Sequence, residues 1–171
     1  TSSMAYLLNW TAIFILGIYV SSAEIGIYNI AMRISLLTSI SLFAVNSIAA
    51  PKFSELYSKN NIIDFQKIIF ETSKLMFWTS CPFLLLFLFF PEFFLNIFGH
   101  SFVVGKWTLI FLTIGQFINA CSGSVGYILQ MTGQQKIFQY VIFTSTVINI
   151  LLNLFLIPKY GILGASLSNL V

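Results

Sequence analysis

The sequence has 171 residues, of which 58% are hydrophobic and 8% are charged, and its formal net charge is +3. Soluble globular domains carry about a quarter charged residues, so this composition excludes an ordinary water-soluble fold. One histidine, and two cysteines that fall within apolar runs, argue against a disulfide framework or a His/Cys metal cluster.

Five long apolar runs and the beginning of a sixth occupy most of the chain. About 20 apolar residues of helix span the hydrocarbon core of a bilayer, so each full run is a candidate transmembrane helix. Unpaired backbone groups are too costly in hydrocarbon, and the runs are continuous rather than alternating, which excludes a barrel. We therefore predict an all-α, polytopic transmembrane helix bundle that forms a single module. Its spans are residues 4–20, 25–50, 68–90, 107–131 and 137–157, with a partial span at 161–171.

The segment between the second and third spans, residues 51–74, is predicted to be a cytoplasmic amphipathic link that lies on the membrane surface. Asn60 or Asn61 can cap a helix there, with Asp64 in its first turn. Charged residues follow at spacings of three and four, which lets them pair on the wet face. The expected pairs are Asp64–Lys67, Lys67–Glu71 and Glu71–Lys74.

The lysines predict the orientation. The link at 51–74 and the link after the fourth span together hold five lysines, whereas the alternate links hold two. The positive-inside rule places the lysine-rich links in the cytoplasm, so the first helix runs from inside to outside. The final run is too short to cross a bilayer, and we expect the chain to be a fragment of a longer protein.

Arg33 is the charge that lies deepest within a predicted span, about 12 Å from the outer end of the second helix. Such a charge is costly and often marks a functional cavity. It could also snorkel to the interface or hydrogen-bond to neighbouring carbonyls, and these three interpretations stay open. Asn29 lies one turn earlier on the same face. If Arg33 faces a cavity, its guanidinium suits a phosphate or a carboxylate.

A stripe of mostly small residues follows the second helix and predicts a face for close helix packing. The stripe consists of Ala31, Ser35, Thr38, Ser39, Leu42, Asn46 and Ala49.

Uncharged polar residues recur at helical spacing on the fourth and fifth spans. Gln116 and Asn119 lie on the fourth, and Asn149 and Asn153 on the fifth. They could hydrogen-bond across helices or line a hydrated cavity, and we name them, with Asn29 and Arg33, as substrate-cavity candidates.

Pro82 interrupts the third span, where it removes a backbone hydrogen bond and bends the helix, and it is our hinge candidate. The sequence contains no recognisable catalytic set, metal motif or phosphate loop. We predict no catalytic residue, no metal and no cofactor.

Three strings carry a family resemblance. Residues 25–34, IGIYNIAMRI, resemble the G-x-Y-x-x-A-x-R-I stretch of bacterial polysaccharide flippases, and residues 51–56, PKFSEL, resemble their P-x-x-S-x-L. Residues 149–165 are similar to N-x-x-L-N-x-x-L-I-P-x-Y-G-x-x-G-A. The three strings occur in the same order as in the family, and together they span most of the chain. The sequence thus resembles the lipid-linked oligosaccharide flippases, of the O-antigen type, in the multidrug/oligosaccharidyl-lipid/polysaccharide exporter superfamily.

The resemblance implies the C-terminal lobe of a two-lobed transporter of about twelve helices. It implies that the protein is no enzyme but moves undecaprenyl-pyrophosphate-linked oligosaccharide units across the bacterial inner membrane by alternating access, for surface polysaccharide or lipopolysaccharide biosynthesis. Arg33 matches the arginine of the family motif, which places it in the cargo cavity. The partners it implies are the lipid-linked oligosaccharide, membrane lipids and other polysaccharide assembly proteins, with no nucleic acid.

Three alternatives stay open. The related multidrug and toxin extrusion antiporters share the bundle but would be expected to place acids in the cavity, whereas the acids here lie in links or at helix ends. A membrane-embedded polysaccharide polymerase or transferase would need catalytic residues on long loops. A purely structural membrane subunit is the third alternative.

The lysine distribution predicts the outcome of topology mapping. In the full-length protein without native cysteines, single cysteines at Lys59 and Lys136 should resist an impermeant thiol reagent added outside intact cells, because both positions face the cytoplasm. A cysteine at His100 should react. Protection at His100 combined with labelling at the two lysine positions would reverse the orientation.

Overall fold

The computed structural model describes residues 12–170, and all secondary structure in that range is helical, which confirms the all-α prediction. Residues 4–11 of the first predicted span, and Val171, lie outside the described residues. The first described helix, α1, covers residues 12–19. The others are α2 (Ser22–Ser35), α3 (Ile40–Ser58), α4 (Ile62–Phe89), α5 (Pro91–Asn96), α6 (Lys106–Cys121), α7 (Val125–Met131), α8 (Gln135–Tyr160) and α9 (Ile162–Ser168).

Four helical stretches in the described part of the chain are long and apolar enough to cross a membrane: Ser22–Ser58, Ile62–Phe89, His100–Cys121 and Gln135–Tyr160. Many of their large apolar side chains point outward. Ile48, Ile63 and Phe155, for example, are 79%, 81% and 71% exposed. Exposed apolar surface of this extent suits contact with lipid tails and confirms a polytopic membrane bundle.

The α2–α3 stretch begins with a capping box. The hydroxyl of Ser21 accepts a hydrogen bond from the backbone N–H of Glu24 at 3.3 Å, and the Glu24 carboxylate accepts the Ser21 N–H at 3.0 Å. These bonds satisfy donors that the first turn of a helix leaves unpaired. A short 3-10 segment, Leu36–Ser39, then joins α2 to α3 without interrupting the rod.

The expected end of the second helix at Ala50 is wrong, because α3 continues through Pro51 to Ser58. Proline within a helix costs one backbone hydrogen bond. Burial of Phe53 and Leu56 in the following turns, at 0% and 8% exposure, offsets that cost. The chain then turns at Asn60, where φ is +55°, and α4 begins with Asn61 as its N-cap, one of the two caps that the sequence predicts.

None of the three charge pairs predicted for the amphipathic link forms in the described structure. Glu55 instead binds Lys52 at 3.0 Å and Lys59 at 2.7 Å. Asp64 accepts a hydrogen bond from the side-chain amide of Asn61 at 2.6 Å. Exposed ion pairs at helical spacing are worth only a few tenths of a kcal/mol, so the nearer N-cap amide competes successfully for the Asp64 carboxylate.

The second half of the predicted link is not a separate element. It forms the first turns of α4, which runs unbroken from Ile62 to Phe89 and includes Pro82. The fourth predicted span, in contrast, is broken. A turn at residues 122–124 separates α6 from the short helix α7, and Gly123 adopts a φ of +67°. This backbone conformation favours glycine and ends the continuous helix that the apolar run suggested.

α6 lies at the centre of the bundle, where it packs against α2, α4 and α9, while α8 packs against α9. The small-residue stripe of α2 and α3 is buried along its whole length, as predicted, with Leu42 the most exposed member at 7%. Small side chains allow neighbouring backbones to approach closely where lipid supplies no hydrophobic driving force. The hydrophobic core cluster includes Tyr28, Phe87, Leu109, Leu112 and Ile157.

The backbones of α8 and α9 approach each other closely at Gly164. Gly161 makes the turn with a φ of +57°. Gly164 then lies so close to the backbone of Leu156 that a Cβ atom there would collide with the Leu156 carbonyl group and approach the Ile157 nitrogen to 2.9 Å. This contact holds the two helices together beside the polar residues of α8.

Gly164→Ala should therefore destabilise the full-length protein by about 1–3 kcal/mol, because the clash is with backbone and cannot be relieved by a rotamer change. Thermal unfolding in detergent measures this loss. Gly26→Ala is the matched control: its Cβ would meet no atom within 4 Å, and replacing a helical glycine should stabilise by up to about 1 kcal/mol. Equal melting temperatures for the two variants would contradict the close approach.

Candidate functional site

Arg33 lies in the last turn of α2, and its side chain is exposed. It is about 16 Å along the helix from Ser22, well inside the stretch Ser22–Ser58. Within the described part of the chain it makes no ion pair and no hydrogen bond to neighbouring carbonyls. Its guanidinium therefore faces away from the interior of this bundle.

A cavity of about 180 Å³ lies among α1, α2, α8 and α9. It brings together three of the predicted candidates, Asn29 from α2 and Asn149 and Asn153 from α8. Among the described residues, its lining consists of Ala12, Ile13, Tyr28, Asn29, Met32, Ser145, Asn149, Asn153, Ala165 and Asn169. Every side chain in this lining is uncharged.

Asn149 connects the cavity wall to α9. Its side-chain amide donates to the backbone carbonyl of Ser168 at 2.8 Å, and its own Oδ1 accepts a hydrogen bond from Asn153 Nδ2 at 2.8 Å. Asn153 is fully buried, and its Oδ1 has no hydrogen-bond partner among residues 12–170. Asn29 is only partly buried, and its amide donates to the Ile25 carbonyl of its own helix at 3.0 Å.

Seven of the described lining residues were not among the sequence-derived candidates, and two of them, Tyr28 and Asn169, contact each other. Tyr28 is 2% exposed, and its hydroxyl is in hydrogen-bonding contact with the side chain of Asn169. The Asn169 amide also lies 3.6 Å from the sulfur of Met32. Their positions in the sequence could have indicated that they line the cavity. Tyr28 directly precedes Asn29, and Asn169 is a polar residue within the sixth apolar run.

The other candidates lie apart from the cavity. Gln116 is partly buried and Asn119 is exposed, and neither of these α6 residues belongs to the lining. Pro82 is an exposed residue within the unbroken helix α4, and its role as a hinge stays a prediction.

Charged groups concentrate near the helix ends. Lys106, at the start of α6, lies 2.8 Å from Glu92 in α5, and this ammonium holds the pKa of the Glu92 carboxyl below its usual range. All five acids of the chain are exposed. In the described residues, no group of three or more His, Cys, Asp or Glu side chains could hold a metal ion.

A bundle of helices that are long and apolar enough to cross a membrane defines a multi-pass membrane protein. The MatE family model matches residues 1–155, and the chain belongs to this family, whose members are transporters rather than enzymes.

The chain is also similar to the "Probable low-salt glycan biosynthesis flippase Agl15" of Haloferax volcanii, with 27% identity over 164 residues. The match covers 95% of this chain and 35% of the relative, so the chain spans about a third of that protein's length. No solved structure matches the chain.

Because Asn149 bonds both α9 and Asn153, Asn149→Ala should destabilise the full-length protein by about 1–3 kcal/mol. Asn119→Ala removes the same amide from an exposed site without a tertiary hydrogen bond, and it should change stability by less than about 0.5 kcal/mol. Thermal unfolding of the purified variants in detergent compares them. An Asn149→Ala protein as stable as Asn119→Ala would show that the α8–α9 hydrogen bond contributes nothing.

Proposed function

We propose that the protein translocates lipid-linked oligosaccharide units across a membrane by alternating access. The observation that carries the proposal is the similarity of nearly the whole chain to a protein named as a glycan biosynthesis flippase. Membership of a transporter family supports movement of a cargo rather than its chemical conversion. The three sequence strings that resemble polysaccharide flippases support the same class of cargo.

We propose that Arg33 binds the charged group of the cargo. This side chain is a fixed cation at depth in a long apolar helix, and within residues 12–170 it is exposed and makes no ion pair with an acid. A planar guanidinium binds phosphate oxygens through two parallel hydrogen bonds, which a pyrophosphate linker can accept. In a bacterium the cargo would be an undecaprenyl-pyrophosphate-linked unit in the inner membrane, destined for surface polysaccharide, of which O-antigen is one type. These finer assignments rest on the sequence resemblance.

A second candidate is a cation antiporter of the multidrug and toxin extrusion type, because the MatE family match favours both kinds of transport. Export of a cation through the membrane interior calls for an acidic group within the cavity. The described residues that line the cavity are uncharged, and Arg33 would repel a cationic cargo. Both observations favour the glycan cargo.

Substitution of Arg33 in the full-length protein tests the proposal. Arg33→Ala should reduce translocation of a fluorescent lipid-linked oligosaccharide in proteoliposomes by roughly tenfold to hundredfold, the factor expected for loss of a charge-assisted interaction. Arg33→Lys should retain part of the activity, because it keeps the charge but loses the two-pronged contact. Lys136→Ala, which removes an exposed lysine near the start of α8, should behave like the wild type.

Membrane levels of each variant provide the control for folding. Normal translocation by Arg33→Ala would show that the arginine only snorkels, and the assignment of the charged group would be wrong. If the wild-type proteoliposomes export ethidium along a proton or sodium gradient and do not move the glycan, the antiporter candidate replaces the proposal.

A further inference from the structure

A groove of about 470 Å³ lies where the long helix α4 ends and α6 begins, apart from the cavity among α1, α2, α8 and α9. Both helices belong to stretches that are long and apolar enough to cross a membrane. The end of one and the start of the other therefore lie at a membrane boundary, where lipid head groups are found. Under the orientation that the lysines predict, this boundary belongs to the outer leaflet.

Two opposite charges lie side by side in this groove. Glu92 and Lys106 are the charged residues among its described lining. Lys106 Nζ lies 2.8 Å from Glu92 Oε1, and the two side chains stay 38% and 58% exposed, in the order Lys106 and Glu92. An ammonium has three donors and a carboxylate accepts about four hydrogen bonds, so one mutual contact leaves most of the bonding capacity of both groups unused. The groove thus offers a cation and an anion with no net charge.

The other described lining residues of the groove are apolar or aromatic, and Phe89, Phe93 and Trp107 among them are exposed. Ile110 lies one turn further along α6 than Lys106, so the apolar surface continues from the charged pair toward the membrane interior. Lys106 Nζ is 5.8 Å from the centroid of the Trp107 ring. Lysine and tryptophan side chains are both typical of the membrane–water interface. The groove is therefore charged at the boundary and apolar below it.

A phospholipid matches both parts of this arrangement, because its acyl chain can lie on the apolar wall while its head group meets the two charges. An anionic head group would be attracted by Lys106 but repelled by Glu92. A zwitterionic head group presents a phosphate to the lysine and an ammonium to the carboxylate. A primary ammonium donates hydrogen bonds to a carboxylate, whereas a trimethylammonium has no N–H to donate. The pair of charges therefore favours phosphatidylethanolamine over phosphatidylglycerol and phosphatidylcholine.

We propose that this groove is a binding site for a phospholipid with an ethanolamine head group. The phosphate of the lipid accepts hydrogen bonds from Lys106, and its ammonium donates to the carboxylate of Glu92. The bound lipid is a resident of the membrane rather than the translocated cargo, so the site is separate from Arg33 and stands without the proposed function.

Photo-cross-linking of the full-length protein in lipid nanodiscs tests this site. The probes are phosphatidylethanolamine, phosphatidylcholine and phosphatidylglycerol, each with the same diazirine near the top of one acyl chain. Each probe is added in trace amount to nanodiscs of equal parts phosphatidylcholine and phosphatidylglycerol. Mass spectrometry then quantifies labelling of the peptides that carry residues 88–110. Labelling by the phosphatidylethanolamine probe should exceed labelling by each of the others about three- to fivefold, the range for an exposed charge contact.

Two substitutions separate lipid binding from a structural role of the ion pair. Glu92→Gln should lower labelling by phosphatidylethanolamine about threefold and raise labelling by phosphatidylglycerol, because the repulsion of an anionic head group is lost while Lys106 remains. Lys106→Gln should lower labelling by both probes. Glu55→Gln is the matched control: it removes an exposed carboxylate that is likewise paired with lysines, beyond the other end of α4, and should leave labelling of the groove unchanged.

The selectivity of the wild type decides the proposal even if a variant fails to fold. Equal labelling by the three probes would show that the groove holds boundary lipid without selection, and this result overturns the proposal. Strongest labelling by phosphatidylglycerol would make it an anionic-lipid site, and strongest labelling by phosphatidylcholine would place a trimethylammonium group against the aromatic rings. Either result also overturns it, as does an unchanged preference in Glu92→Gln.

Discussion

In hydrocarbon, every polar group of the chain must find its partner within the protein, and this constraint determines most of the structure. The backbone satisfies it by forming helices. Hydroxyl side chains satisfy it locally: Thr72, Thr79, Thr113 and Thr146 all donate to carbonyls three or four residues earlier on their own helices. Such residues can lie within apolar helices without lining any channel.

Side-chain amides cannot be satisfied so simply, because each carries two donors and an acceptor. Asn29 and Gln130 donate within their own helices, whereas Asn149 and Asn153 lie where two helices meet. Asn149 donates a hydrogen bond from α8 to α9, and Asn153 donates one to Asn149. The close approach of the Gly164 backbone to Leu156 brings α9 near enough to α8 for this hydrogen bond. The hydrogen bond from Asn149 therefore requires a glycine at position 164.

Asn46 presents the opposite case. It is fully buried on the packing stripe, yet neither of its side-chain polar atoms has a partner in the described structure. Its small-residue neighbours explain why the helices are close at this position, but close packing alone gives the amide no hydrogen bond.

The fold class, the long helices and the cap at Asn61 could be predicted, because hydrophobic run length and capping chemistry are local properties. The break at Gly123 could not be predicted, because an apolar run has the same composition whether or not one of its glycines turns the backbone. Continuation through Pro51 was missed for a related reason. The cost of proline is visible in sequence, whereas the burial of Phe53 that offsets it depends on which helices become neighbours.

The candidate site could likewise be predicted only in part. Polar type and spacing selected Asn29, Asn149 and Asn153, and the fold then placed them around one cavity. Identical reasoning selected Gln116 and Asn119, which lie elsewhere, because helical spacing indicates a shared face without indicating what that face meets. Tyr28 was not predicted, because a tyrosine among apolar residues indicates a position in the hydrophobic core.

Asn29 and Arg33 are four residues apart on α2, which corresponds to a rise of about 6 Å and places them on nearly the same face of the helix. Their surroundings differ nonetheless. Asn29 lines the cavity inside this bundle, and its amide donates to the Ile25 carbonyl of its own helix. Arg33 lies in the last turn of α2, with its side chain exposed at the surface of the bundle. Under the proposed function, Arg33 is therefore the residue on this face that can meet the charged group of a cargo outside the bundle.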